Sequence, residues 1–164
     1  MRPQYVIIPS VFLAGLAFLF GQRTVAEEKT VFNAGLAGTN EVPPVDTQAI
    51  GEAFIRVVDN GKALHYKLIV TNIENVTMAH IHLGKPGHNG PPLAWLYPSS
   101  PPPVLIPGTF SDTLAAGILR ADNLIGPLEG KTIAALVEAI RAGQAYVNVH
   151  TKQHPEGEIR GPID

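Results

Sequence analysis

Runs in which apolar residues alternate with polar ones recur along the chain at short intervals, and each reads as a β-strand with one buried face. Val31–Ala37 is the first. In 51–58 the residues Ala53, Ile55 and Val57 share a face, and in 64–70 the residues Leu64, Tyr66, Leu68 and Val70 do so. Between them Asp59-Asn60-Gly61 supplies residues that tolerate the positive φ of a tight hairpin, so the two strands are predicted to be antiparallel neighbours. Further strands are predicted at 76–83 and 93–97, separated by a segment, 84–92, too rich in Gly and Pro for regular structure. A stiff Pro-rich connection, 98–107, leads to a strand at 109–114. The period then changes once: Ile133, Leu136, Val137 and Ile140 fall at i, i+3, i+4 and i+7 within 132–142, with Gly143 as the stop. That is one short helix. Ala145–Thr151 and 158–163, joined by the loop 152–157, close the chain as strands. The pattern predicts an all-β domain of about seven to eight strands with one short helix, folded as a β-sandwich or small barrel.

Composition narrows the chemistry. A length of 164 residues bounds the chain to one domain, and 16 Gly with 15 Pro fit a loop-rich β-fold. There is no cysteine, which excludes disulfide scaffolds, Cys-ligated zinc, iron–sulfur clusters and thiol catalysis together. The net charge is −2, with no cluster of Lys or Arg, so nucleic acid is not a predicted partner. No serine sits in a nucleophile elbow and no Gly-rich phosphate loop follows a strand; no catalytic residue is assigned.

At the N-terminus Met1-Arg2 gives a short positive region, 5–20 is an almost unbroken apolar run, and Thr24-Val25-Ala26 offers small residues for cleavage. Residues 1–26 therefore read as a secretory signal peptide and 27–164 as the exported domain. The alternative is an uncleaved anchor, the only membrane contact predicted, although the run falls short of the ~20 residues that span a bilayer and contains Pro9. Either reading places the domain outside the cytoplasm, secreted or in the cell envelope.

Five of the six histidines lie in two segments, His80, His82 and His88 in the first, His150 and His154 in the second. In a strand i and i+2 project to one face, so His80 and His82 point together, and by the same parity His150 shares a face with Asn148 and Tyr146. Were the two strands neighbours, His80, His82 and His150 would converge as three nitrogen ligands, with His88 or His154 available from the adjoining loops. Imidazoles without thiolate suit copper or zinc, and Glu156, Glu158 and Asp112 are acids in reach of an outer shell. The competing reading is a hydrogen-bonding cluster with no ion. Metal binding of this kind weakens as pH falls through the imidazole range near 6.5. His65 alternates out of its apolar face and is predicted to be exposed. Glu158 and Arg160 share a strand face opposite Ile159, and Arg160 is predicted to lock the closing strand by pairing with an acid, Glu158 or Glu41.

Three separated motifs, Leu36-Ala37-Gly38-Thr39-Asn40-Glu41-Val42-Pro43-Pro44, Ala79-His80-Ile81-His82-Leu83-Gly84 with Asn89-Gly90-Pro91, and Tyr146-Val147-Asn148-Val149-His150-Thr151 leading to Gly157-Glu158-Ile159-Arg160-Gly161, resemble the CHRD domain, the module named after chordin. Pro162 departs from the family pattern, which usually has Gln there, and lacks the donor a central strand needs. The resemblance implies an extracellular, immunoglobulin-like β-sandwich, and the leading reading is a module that binds an extracellular protein or surface ligand. The growth-factor binding of chordin belongs to its surrounding architecture and is not implied here. The strand His-x-His with a later strand His is also similar, more distantly, to the copper site of superoxide-dismutase-like sandwiches. Two alternatives follow: a mononuclear copper redox enzyme of that type on His80, His82 and His150, or a purely structural surface protein.

Overall fold

In a computed structural model that describes residues 28–164, the alternating runs form seven strands and the 3.6-residue period forms one α-helix. The predicted signal peptide, 1–26, lies outside the described residues. In order they are β1 (Val31–Ala37), β2 (Ile50–Val58), β3 (Ala63–Leu83), β4 (Pro92–Tyr97), β5 (Ile106–Leu119), α1 (Ile133–Arg141), β6 (Ala145–Thr151) and β7 (Ile159–Pro162). The hairpin is where its turn residues put it: Asp59, Asn60 and Gly61 all have positive φ, and β2 runs antiparallel to β3 from Ile50↔Thr71 to Val58↔Ala63.

All seven strands belong to one sheet, in the order β2-β1-β7-β6-β3-β4 with β5 also on β3, and β2 pairs again with β3. The ladder β2-β1-β7-β6-β3 thus returns to its start in a barrel-like ring, which leaves fewer open edges than a flat sheet would. The all-β class and the single helix are as the pattern predicts, and all seven strands share one network of ladder hydrogen bonds.

Two predicted strands, 64–70 and 76–83, are one bent strand, β3. The apolar alternation does break between them. Asn72 and Asn75 have positive φ, and the register shifts between Val70 and Ile73 and again between Glu74 and Val76. These bulges bend the strand without ending it, so its first half pairs with β2 and β5 and its second half with β4 and β6. β5 also runs past the predicted 109–114, because Ala115, Ala116 and Gly117 continue the pairing to β3 without an apolar signature.

Inside the ring, Phe32, Ile55, Leu64, Leu68, Ile81, Val147, Val149 and Ile159 are fully or almost fully buried, and α1 adds Ile133, Leu136, Val137 and Ile140 to the same cluster. The β1–β7 seam is narrow, with Ala37 opposite Arg160. A Cβ on Gly161 would run into the Gly35 carbonyl oxygen across that seam, whereas a Cβ on Gly35 would meet nothing. Gly161→Ala is therefore expected to cost about 1–3 kcal/mol and Gly35→Ala to stay within about 0.5 kcal/mol. Urea denaturation midpoints read the difference, and equal midpoints would contradict the seam.

Candidate functional site

The same parity that builds the core builds a second, polar surface on the other side of the sheet. In β3, β6 and β7 the residues Ala79, Ile81, Val147, Val149 and Ile159 enter the core. Their neighbours face away from it, and the register sets them in rows: Met78 beside His150, His80 beside Asn148 beside Arg160, and His82 beside Tyr146 beside Pro162. This face is nonetheless buried, with His80 at 5%, His82 at 8%, Asn148 at 1%, His150 at 4% and Arg160 at 5% exposure. Loops from three parts of the chain cover it.

Arg160 ties those loops down. Its Nε donates to Glu41 Oε2 at 2.6 Å and its Nη2 donates to Asn89 Oδ1 at 2.7 Å, while the Asn40 amide donates to the Arg160 carbonyl at 3.1 Å and the Asn89 amide to the Val42 carbonyl at 3.0 Å. Of the two predicted partners of Arg160, Glu41 is the one bonded. Glu158, also buried, instead accepts from the hydroxyls of Thr47 and Thr151, each at 2.7 Å. Tyr146 lies between the flanking strands, stacked on His82 at 5.1 Å between centroids and under the Arg160 guanidinium at 4.7 Å.

Under this cover His80, His82 and His150 converge, one nitrogen of each lying within 4.8 Å of the others. His82 Nδ1 stands 2.8 Å from the Gly90 carbonyl and His150 Nδ1 stands 3.0 Å from the Pro155 carbonyl. A carbonyl only accepts, so both Nδ1 atoms carry the proton and both Nε2 atoms present lone pairs. Backbone carbonyls holding the outer nitrogen are the usual way a metal-binding imidazole is oriented. Among the described residues His82 Nε2 is buried with no partner. His150 Nε2 has only His80 Nδ1, at 3.2 Å. Ligand nitrogens about 2.0–2.1 Å from one tetrahedral ion stand about 3.3 Å apart, so this pair already has the spacing. His80 would have to shift its proton from Nδ1 to Nε2, or present Nε2, to serve as the third ligand.

The two other candidates do not join them. His88 is exposed on the loop after β3, its Nδ1 3.2 Å from the Pro86 carbonyl. His154, half-buried, sits in the turn before β7 and lines a surface cavity beside Glu41. No carboxylate completes the group among the described residues: Glu156 and Asp112 are exposed and Glu158 is occupied by two hydroxyls. His65 is exposed, as its alternation predicts. Trp95 carries no sequence signal, yet it pairs with His80 across β3 and β4 and its ring centroid stands 4.2 Å from the imidazole. Only the register of β4 could have disclosed it, and that register follows a bulged loop.

The polar rows, the covering loops and the tie between them are built from the three motifs singled out in the sequence. The family model for the CHRD domain matches residues 32–163. The chain belongs to the CHRD domain family. Among its relatives the chordin of Danio rerio is 32% identical over 130 residues and the chordin of Xenopus laevis 29% identical over 137 residues. Each match covers 78% of this chain but 12% of the chordin, so the chain spans a small part of the length of the curated relatives it matches. No solved structure matches it. Among the described residues no helix is long and apolar enough to cross a membrane.

In this CHRD domain burial sets the charge of the triad. Desolvation, followed by the neighbouring imidazoles of His150 and His82, pushes His80 down to about 3. His150 is pushed down to about 4, by burial first and by His82 and Arg160 next, against the Pro155 carbonyl that stabilises its protonated form. Burial also lowers His82, opposed by the Gly90 carbonyl and assisted by Arg160. The rings are neutral at physiological pH, ready to ligate without losing a proton to solvent. Proton competition at the folded site thus moves well below the 6.5 expected of free imidazole.

Two outcomes follow for the metal-free CHRD domain. Unfolded histidines take up protons below about 6.5 while the folded ones stay neutral, so the unfolded state binds more protons and stability falls with pH. The loss is expected to begin near 6.5 and to continue through the folded values of His150, about 4, and His80, about 3, on the order of 8 kcal/mol for those two rings. Urea midpoints measured from pH 7.5 to 4 check it, and a flat profile would mean that the rings protonate in place. Separately, Arg160→Ala removes one partner of a buried pair and is expected to cost about 3–5 kcal/mol. Lys67→Ala, on an exposed position of β3, is expected to change little. Equal midpoints would contradict the tie.

Proposed function

We propose that this chain is an exported CHRD binding module, secreted or held in the cell envelope, whose histidine triad binds a single transition-metal ion, copper or zinc. In this reading residues 1–26 act as the signal peptide and 27–164 as the module, and its partner is an extracellular protein or surface ligand. The observation that carries the metal reading is the convergence of His80, His82 and His150 nitrogens within 4.8 Å on a buried face, with His82 Nε2 unpartnered. A buried lone pair without a donor is costly, and an ion would satisfy it together with His150 Nε2. Three protein nitrogens leave a fourth position for water or a ligand atom.

An immunoglobulin-like or superoxide-dismutase-like sandwich is supported by the bent β3, which serves β2 and β5 in one half and β4 and β6 in the other. Strands that switch sheets through bulges make the corners of such sandwiches.

The test uses the one tryptophan. Trp95 stands against His80, so Cu(II) in the triad is expected to quench its fluorescence with one equivalent per chain in protein without a His-tag. Zinc is expected to compete for the same site. His82→Ala and His150→Ala should each weaken binding by about 100-fold or more, while His65→Ala leaves it unchanged. No saturable quenching, or equal loss in His65→Ala, would overturn the metal reading.

A further inference from the structure

Beside the triad, on the far side of Arg160, lies a cavity of about 410 Å³ between the loop after β1 and the loop after β3. Its wall is largely apolar, from Val42, Pro44, Pro86, Pro162 and the Tyr146 ring, and it has two cationic residues, Arg160 and Lys85. Three features give those charges a direction. Glu41, the one acid in the lining, is occupied: its Oε2 is held by Arg160, and its Oε1 is sealed from solvent. The Arg160 guanidinium spends Nε and Nη2 on Glu41 and Asn89, and among the described residues Nη1 has no protein partner, yet it is not among the buried unpartnered atoms. Lys85 is exposed and belongs to none of the salt bridges of the described residues.

A mostly apolar cavity whose free charged groups are cationic donors, with only the neutral Thr39 and Asn40 beside them, selects an anion with an apolar body. Carboxylate is the anion that a guanidinium edge matches with short, charge-assisted bonds. The size falls within the range of small-molecule sites.

We propose that this cavity is a carboxylate-binding site, with the carboxylate held between Arg160 Nη1 and Lys85 Nζ and an apolar group against Val42, Pro44 and Pro86. The site is separate from the metal triad and stands or falls without it. The carboxylate has two sources, a free organic acid or the C-terminal residue of a polypeptide.

Two probe pairs distinguish the sources by calorimetric titration of the full chain freed of metal: 3-phenylpropionate with its amide, and N-acetyl-Ala-Phe with its C-terminal amide. At least one acid is expected to bind saturably, its amide at least tenfold more weakly. Lys85→Gln, an exposed change, is expected to weaken the acid about tenfold, and Lys67→Gln to leave it unaltered. Binding of 3-phenylpropionate alone supports a free acid, and binding of the peptide acid alone supports a chain terminus. The proposal is overturned if neither acid binds at millimolar concentration, if acid and amide bind alike, or if Lys67→Gln weakens binding as much as Lys85→Gln.

Discussion

The buried Arg160–Glu41 pair is the interaction on which the rest of this CHRD domain depends. Two charges at 5% and 3% exposure are expensive to desolvate. The cost is offset only because Arg160 Nη2 also finds the Asn89 amide oxygen, while the backbone of the same residue accepts from Asn40. Those partners come from the loop after β1 and the loop after β3, 119 and 71 residues away in sequence. One side chain on the closing strand therefore holds two distant loops against the sheet. In a chain with no cysteine, this is the work that a cross-link does elsewhere.

The consequence is a sheet with two dry faces of opposite character. Val147 and Val149 point into the core and Tyr146, Asn148 and His150 point into the covered polar layer, so all of β6 is buried although its residues alternate. Water is excluded from that layer, and its imidazoles are neutral for that reason. Among the described residues three side-chain atoms are left without partners there: His82 Nε2, Glu41 Oε1 and Asn148 Oδ1. The last two face Gly157, where a Cβ would stand 2.7 Å from Glu41 Oε1 and 2.6 Å from Asn148 Oδ1 at a φ of +133°. Glycine there is a demand of the polar layer, in a conformation that side chains rarely adopt.

Much of this was legible in the alternation of residues, because parity is local. His80 with His82 and His150 with Asn148 and Tyr146 follow from a period of two, and so does the exposure of His65. What parity does not contain is which strands are neighbours. The convergence of β3 with β6 needed the ring to close, and the proximity of Trp95 to His80 needed the register of β4, which slips between Ala79 and His80 and between Ile81 and His82. The two halves of β3 read as separate strands because the bulges at Asn72 and Asn75 interrupt the apolar pattern as a turn would. His88 and His154 read as additional ligands from the adjoining loops because spacing carries no information about how a loop turns. Both belong to loop segments whose own backbone bonds direct them elsewhere.

The loops also supply the groups that orient the triad, which ties geometry to stability. Gly90, next to the Asn89 that Arg160 holds, presents its carbonyl to His82 Nδ1, and its N–H donates to the Tyr146 hydroxyl at 3.2 Å. A Cβ at Gly90 would collide with the Leu83 carbonyl, so the loop passes closer to β3 than any other residue allows. The Pro155 carbonyl does the corresponding service for His150 from the turn before β7. Loosening Arg160 would release the loop carrying Gly90, and with it the tautomer of His82 and the dryness that keeps all three rings neutral. Stability and ligand readiness are in this fold one property, because the same hydrogen bonds that close the polar layer aim the nitrogens inside it.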